Sequence, residues 1–323
     1  MKNGTFIISL DFELYWGYLG ITDYNKQFKR FYQTRDIASE MIKLFEKNEM
    51  KVTWSTVGFL MVENSKELNE LTHHIAKPKY SRRELDNYFN FNHVVEEENF
   101  CEGVFFANDI VEELKNSKYQ TIGTHSFSHY YCLEDGQTVH EFADDLRIAK
   151  EIADEKGIEM SSIVFPRNQF DRDYLNLLKK YGIDTYRGTP DHLIFRPRRH
   201  DNYFIRGMRL VDTYLNITGN LTHEHPSPYE ELYNIKASRF LKPQNKTNRV
   251  MRALQLRRIK NEMTAAAKNN HYYHIWWHPH NFSVSPEENF RFLEDIIDHF
   301  KTLEKEYNFS SESMESYVEK VRA

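Results

Sequence analysis

The stretch Thr5-Phe-Ile-Ile-Ser-Leu-Asp-Phe-Glu-Leu-Tyr-Trp-Gly17 starts as an apolar run, Phe6 to Leu10, and then places two carboxylates, Asp11 and Glu13, in quick succession. A run of that length and composition suits a buried strand. Side chains two apart on a strand share a face, so Asp11 and Glu13 look into one cleft while Phe12 faces away. Taken alone, the pair also fits a strand that ends in solvated acids. The rest of the chain separates the two possibilities.

At 323 residues the chain can bury a large core, as one α/β barrel-like domain or two smaller domains. Hydrophobic content of 40% with 28% charged residues is ordinary for a soluble globular protein. A net charge of −5 gives no overall case for a nucleic-acid partner or an anionic surface. Two cysteines, Cys101 and Cys132, are too few for a disulfide framework and suit a reducing compartment. The first apolar run meets an acid too early for a secretory leader or a membrane span, so a cytoplasmic protein is expected.

Strand and helix signals alternate after the opening stretch. Phe31–Lys47 has apolar residues at helical spacing (Ile37, Met41, Leu44, Phe45), and Lys51–Gly58 is a β-branched run closed by glycine. Residues 63–103 lack clean periodicity and read as an excursion. Asn108–Asn116 is a short helix with Asn108 as its cap, and Thr121–His129 is a strand ending in a histidine pair. Thr138–Lys156 is helical on its stripe of Val139, Phe142, Leu146, Ala149 and Ala153. Ser161–Gln169 is a strand stopped by Pro166, Asp171 opens a helix that Gly182 ends, and Asp184–Arg187 is a further strand. From 190 to 248 the pattern dissolves, with strand-like fragments such as Tyr203–Arg206. A helix over Arg249–Lys268, a strand from Tyr272 into His278, and a long helix over Pro286–Glu306 restore it. Such alternation argues for parallel β/α architecture.

Polar groups therefore share one address, the C-terminal ends of strands: Asp11 with Glu13, His125 with His129, Arg167, and His278. In parallel β/α folds that end of the sheet binds ligands. His125 and His129 are four apart, and on one helical turn their rings reach a shared cation. Two imidazoles and one carboxylate leave coordination positions open, as in catalytic metal sites. Which of Asp11 and Glu13 reaches the cation is not decided by period-two geometry.

Five segments resemble the polysaccharide deacetylase (NodB-homology) family, carbohydrate esterase family 4. Ser9-Leu-Asp-Phe-Glu13 resembles its first motif, with Asp-x-Glu in place of adjacent aspartates, and Thr124-His-Ser-Phe-Ser-His129 closely matches the second, His-(Ser/Thr)-x-x-His. Phe165-Pro-Arg-Asn-Gln169 is similar to the third motif with the Arg after the Pro instead of before it. Trp276-Trp-His278 resembles Leu-x-His, and Lys51–Gly58 resembles the family's second strand. The acid that orients the final histidine has no clear match, Asp191 being nearest by position.

The resemblance implies a single-domain α/β fold, a distorted (β/α)7-type barrel with parallel strands and long loop insertions. The catalytic domain would cover 1–310 with insertions at about 63–103 and 190–248, followed by a C-terminal tail at 311–323. It also implies hydrolysis of an N-acetyl group on a sugar by metal-assisted water attack. Glu13, His125 and His129 would hold a divalent ion, Zn²⁺ foremost, with Co, Ni, Mn or Fe as alternatives. Asp11 would be the base, Arg167 would keep it ionised, and His278, steadied by Asp191, would be the acid. Six arginines from Arg187 to Arg209 read as an ion-paired surface or as the partner of a phosphate-bearing sugar. His280 reads as structural, His274 as a core histidine, and His73, His74, His223 and His225 as exposed. Trp276 and Trp277 cannot both face the core, so one flanks the cleft. A metal-independent glycoside hydrolase on a related barrel, or a non-catalytic sugar-binding relative, are the rival readings.

Overall fold

The computed structural model describes residues 3–195, 203–245 and 248–323. At its centre is β1 (Thr5–Phe12), buried along its whole length. Phe6, Ile8, Leu10 and Phe12 enter the main hydrophobic core, whereas Ile7 packs in a separate cluster with Tyr233, Tyr272, Met314 and Tyr317. The strict alternation puts Ser9, Asp11 and Glu13 on the Ile7 side, so the polar residues lie toward the inside of the curled sheet.

On one side of β1 follow β2 (Val52–Thr56), β3 (Gln120–Thr124), β4 (Ser162–Ile163), β5 (Thr185–Tyr186) and β6 (Tyr233–Asn234). On the other stand β8 (Tyr272–Trp277) and then β7 (Arg239–Phe240). Every pairing in this order is parallel. The edges β6 and β7 are separated only by residues 235–238, a link that spans at most about 18 Å when extended. Ile235 and Ala237 donate to the Tyr186 and Gly188 carbonyls, and Ser238 then donates to His274. One continuous stretch thus switches partners from β5 to β8 and closes the sheet. Counted as one stave, β6 and β7 make this a distorted (β/α)7 barrel.

The helices are α1 (Tyr24–Lys47), α2 (Ser65–Leu71), α3 (Asn87–Val94), α4 (Asn108–Lys115), α5 (Val139–Glu155), α6 (Arg172–Leu178), α7 (Tyr203–Tyr214), α8 (Arg249–Asn269), α9 (Pro286–Tyr307) and α10 (Met314–Arg322). Their starts follow ordinary capping chemistry. Thr138 and Glu141 form a capping box at α5, and Asp171 caps α6. Asn108 is no cap; its side chain donates to Glu63.

Three expectations change. The 63–103 excursion contains α2 and α3 and supplies core: the Trp16 ring lies 5.0 Å from Phe91. Tyr203–Arg206 opens helix α7 instead of a strand. Residues 311–323, expected as a tail, complete β9 (Ser310–Glu312) beside the start of β1 and form α10. Helix α10 lies at the N-terminal end of the staves, with Glu315 accepting from Thr53 and Ser162. That leaves the opposite end for chemistry.

Candidate active site

The chain turns sharply where β1 delivers Glu13. Leu14 has φ of 42°, in the left-handed region that a branched side chain avoids. A Cβ at Gly17 would overlap the Glu13 carboxylate, so glycine there lets the turn close over the acid. Trp16 fixes the turn by donating to the Phe105 carbonyl at 2.6 Å.

After β3 the segment 125–129 is bent instead of helical, with Ser126 and His129 at φ of 61° and 59°. Asp145 of α5 holds it there, accepting from the Phe127 N–H at 2.7 Å, the Ser128 N–H at 3.0 Å and the Ser128 hydroxyl. Burial pushes the Asp145 carboxyl up to about 6 against these hydrogen bonds. The sequence hid this residue because it sits within the apolar stripe of α5.

The bend brings His125, His129 and Glu13 together, each buried, with their ligand atoms all within 4.8 Å of one another. His125 Nδ1 is 2.7 Å from the Val164 carbonyl, which can only accept, so Nδ1 carries the proton. The bare Nε2 then faces Glu13 Oε2 at 3.6 Å, acceptor against acceptor. His129 Nε2 lies 2.9 Å from the same oxygen, and its Nδ1 is buried without a partner among the described residues. Two lone-pair donors converging with nothing cationic between them fit a divalent ion. The protonation states suit it. Burial raises the Glu13 carboxyl, but the neighbouring His278, His125 and His129 imidazoles together bring it well below the usual range. Burial lowers the His129 imidazole, only partly opposed by Glu13. Ligands must be deprotonated to bind metal, and both of these directions favour the deprotonated form.

Asp11 lies beside this group but is engaged otherwise. Arg187, at the end of β5 and 1% exposed, grips it with two parallel bonds of 2.6 and 2.8 Å. Its guanidinium carbon lies 4.2 Å from the Trp276 ring centre, and it donates to Ser9 Oγ at 3.0 Å. Burial works to raise the Asp11 carboxyl, yet Arg187, with His125 and His278, holds it below the ordinary carboxylate range. Arg187 therefore does what the sequence assigned to Arg167. Arg167 instead pairs with Glu134 at 3.1 Å and lies over the Tyr131 ring, behind His129. Arg187 was read as one of a surface run, and it is among the most buried side chains of the protein.

His278 completes the group. Its Nε2 is 3.8 Å from Asp11 Oδ2 and 3.7 Å from Glu13 Oε1, so one imidazole edge faces both acids. Its Nδ1 has no hydrogen-bond partner among the described residues. Asp191, expected to steady it, is 79% exposed and pairs with Lys236 at 2.5 Å. The two residues are not brought together because the strand ends at Tyr186 and the chain carries Asp191 to the surface.

The remaining expectations resolve individually. Trp277 is in the core while Trp276 faces the cleft. His274 is buried and its Nε2 lies 2.8 Å from Ser9 Oγ. His280 is buried with its ring edge-on to Tyr18. His73 and His74 are exposed, but His223 and His225 are half-buried. Arg196, Arg198 and Arg199 of the arginine run lie outside the described residues. A cavity of about 510 Å³ opens on His278 and Trp276 and runs along Phe240, Thr189 and Leu210.

No protein-family model matches the sequence, and no curated protein matches it. Solved structures do share its fold. A protein from Mycobacterium smegmatis described as a polysaccharide deacetylase superposes with a TM-score of 0.59 at 9% identity, over 99% of this chain and 91% of its own. A GH57-type branching enzyme from Pyrococcus horikoshii gives 0.52 at 12% identity, over 99% of this chain and 70% of its own. At such identities the likeness is one of fold, and no helix among the described residues is long and apolar enough to cross a membrane. Parallel staves and the closing β6–β7 stretch give this chain a distorted (β/α)7 barrel, the fold it shares with the Mycobacterium smegmatis protein described as a polysaccharide deacetylase.

Proposed function

We propose that the protein is a metal-dependent hydrolase that removes an N-acetyl group from a sugar, with a surface-glycan precursor such as an O-antigen or capsule intermediate as substrate. The observation that carries this reading is the buried Glu13–His125–His129 group set beside an Arg-held Asp11, with His278 facing both acids. A divalent ion, Zn²⁺ by ligand type, would be held by Glu13, His125 and His129 and would supply Lewis acidity to the acyl carbonyl and to water. Asp11 is the base that takes the proton from the attacking water, and the Arg187 fork keeps it ionised and aimed. His278, open to the cavity, gives a proton to the departing amine. Trp276 supplies an aromatic wall for the sugar ring.

The division of labour between the acids follows from what each touches. Glu13 is in contact with both imidazoles, whereas both Asp11 oxygens are taken by Arg187. An acetate-release assay on N-acetylated sugars, run with and without chelator, tests the reading. Release that stops with chelator and returns with Zn²⁺, Co²⁺ or Ni²⁺ supports it. Acetate release that ignores chelator would contradict the metal dependence, and glycosidic cleavage without acetate points to the glycoside hydrolase instead.

A further inference from the structure

Helix α7 is amphipathic in the wrong sense for a core helix. On a 3.6-residue period Tyr203, Phe204, Val211, Tyr214 and Leu215 share one face, with Arg209 and Asp212 on the other. The polar face is the one turned inward. Asp212 is fully buried and accepts from Arg239 at 3.1 Å, and Arg209 donates to the Ile194 carbonyl. Tyr203, Phe204, Val211 and Leu215 are therefore exposed, and with Leu193, Leu210 and Ile217 they supply seven of the twelve large exposed apolar side chains among the described residues. Single exposed apolar residues need no explanation; a concentrated patch marks a binding surface.

That patch is continuous with the active site. The outer face of α7 and the first turns of α8 enclose a groove of about 460 Å³ lined by Val211, Leu215, Met251 and Leu254. Leu210 and Lys242 line both this groove and the cavity that opens on His278. A trough thus runs from His278 and Trp276, past Lys242, to a mainly apolar groove. Lys242 lies over the Tyr214 ring at 5.2 Å and has no carboxylate partner among the described residues. The surrounding sequence has the same sign. Residues 187–260 carry 15 Lys and Arg against 6 Asp and Glu, within a chain whose net charge is −5.

We infer, resting on the deacetylase reading for the sugar end, that the substrate is a sugar joined through phosphate to a hydrocarbon chain. The sugar lies at His278 and Trp276, the phosphate at Lys242, and the chain in the groove between α7 and α8. Tyr214, Gln244, Asn245, Asn248 and Arg252 also line the groove, but its lining surface is mainly apolar, which an extended glycan would leave unmatched. A hydrocarbon matches that surface, and an anion at the seam matches Lys242. The inverted amphipathic helix also has the character of an element that meets a lipid surface, from which such a substrate would be drawn.

The test is binding of farnesyl phosphate to the intact protein, with farnesol and inorganic phosphate as controls. Farnesyl phosphate should bind at least about tenfold more tightly than either control. Leu215→Asp, at an exposed position, and Lys242→Glu, at a half-buried one, should each weaken it by about tenfold or more. Absent binding, farnesol binding as tightly, or binding indifferent to both variants would overturn the inference. Acetate release from soluble sugars without farnesyl phosphate binding would remove this inference and keep the deacetylase. Binding lost in both variants, with no acetate from any sugar, would keep the lipid groove and remove the deacetylase.

Discussion

Two clusters of buried charge lie in this barrel, and they differ in how completely their members satisfy one another. Around α7, α8 and β7, Arg239 makes 2.9 Å bonds to both Glu262 oxygens and a 3.1 Å bond to Asp212. Arg258 and the Tyr273 hydroxyl supply further donors to the same acids. Two cations meet two anions, so the charges balance, although Arg258 Nε has no partner among the described residues. At the end of β1, by contrast, Asp11 has its cation in Arg187 but Glu13 has none. His125 Nε2 points a lone pair at it, and His129 Nδ1 and His278 Nδ1 are buried without partners. Backbone strain gathers there too, at Leu14, Ser126 and His129. A closed cluster anchors a helix, whereas an open one is built around something that comes and goes.

The sharpest way to break this contrast is Asp11→Asn. It should cut turnover by about 10²–10⁴-fold, the usual range for losing a general base, while leaving metal content intact. Full activity in that variant would end the proposed role. Arg187→Met strands the Asp11 charge and should cost about 3–5 kcal/mol of stability together with most of the activity. Lysine at 187 restores the charge without the two-pronged grip, and should rescue stability more than rate. Arg239→Met should cost a similar 3–5 kcal/mol in denaturant unfolding but leave metal content unchanged. Metal loss in Arg239→Met would mean that the two clusters are coupled.

Smaller effects refine the picture. His274 is held neutral, with burial lowering it to about 3, followed by the charge on Arg187. Its folded value is below its unfolded one, so its contribution is fully present above pH 6.5 or so and is lost as pH falls toward 3. The unfolding free energy, measured with denaturant between pH 7 and 4, should fall more steeply in wild type than in His274→Gln, by up to about 1.4 kcal/mol per pH unit. Arg167→Ala should change turnover less than about threefold, because its partner is Glu134 and not Asp11. A large loss there would restore the role that the sequence suggested.

Much of the site was legible because its signals are local. Asp11 and Glu13 share a face by strand alternation, His125 and His129 announce themselves by spacing, and His278 ends an apolar run. What the sequence hid depends on pairing across the barrel. Arg187 reaches Asp11 from β5, four staves away in order, and nothing in its neighbours distinguishes it from the arginines that follow. Asp145 is masked by the apolar stripe around it, and Asp191 was chosen by position alone. The barrel closure was illegible for another reason, since β6 and β7 are two residues each and too short for any period to show. Helix α7 misled because its apolar face points outward, against the pattern of a core helix.

The most direct measurement of the central claim is elemental analysis of purified wild type beside Glu13→Gln. About one divalent transition metal per chain in wild type, and little or none in Glu13→Gln with the fold retained, is the expected result. No metal in wild type after exposure to Zn²⁺, or equal metal in both proteins, would contradict the assignment of Glu13, His125 and His129 as its ligands.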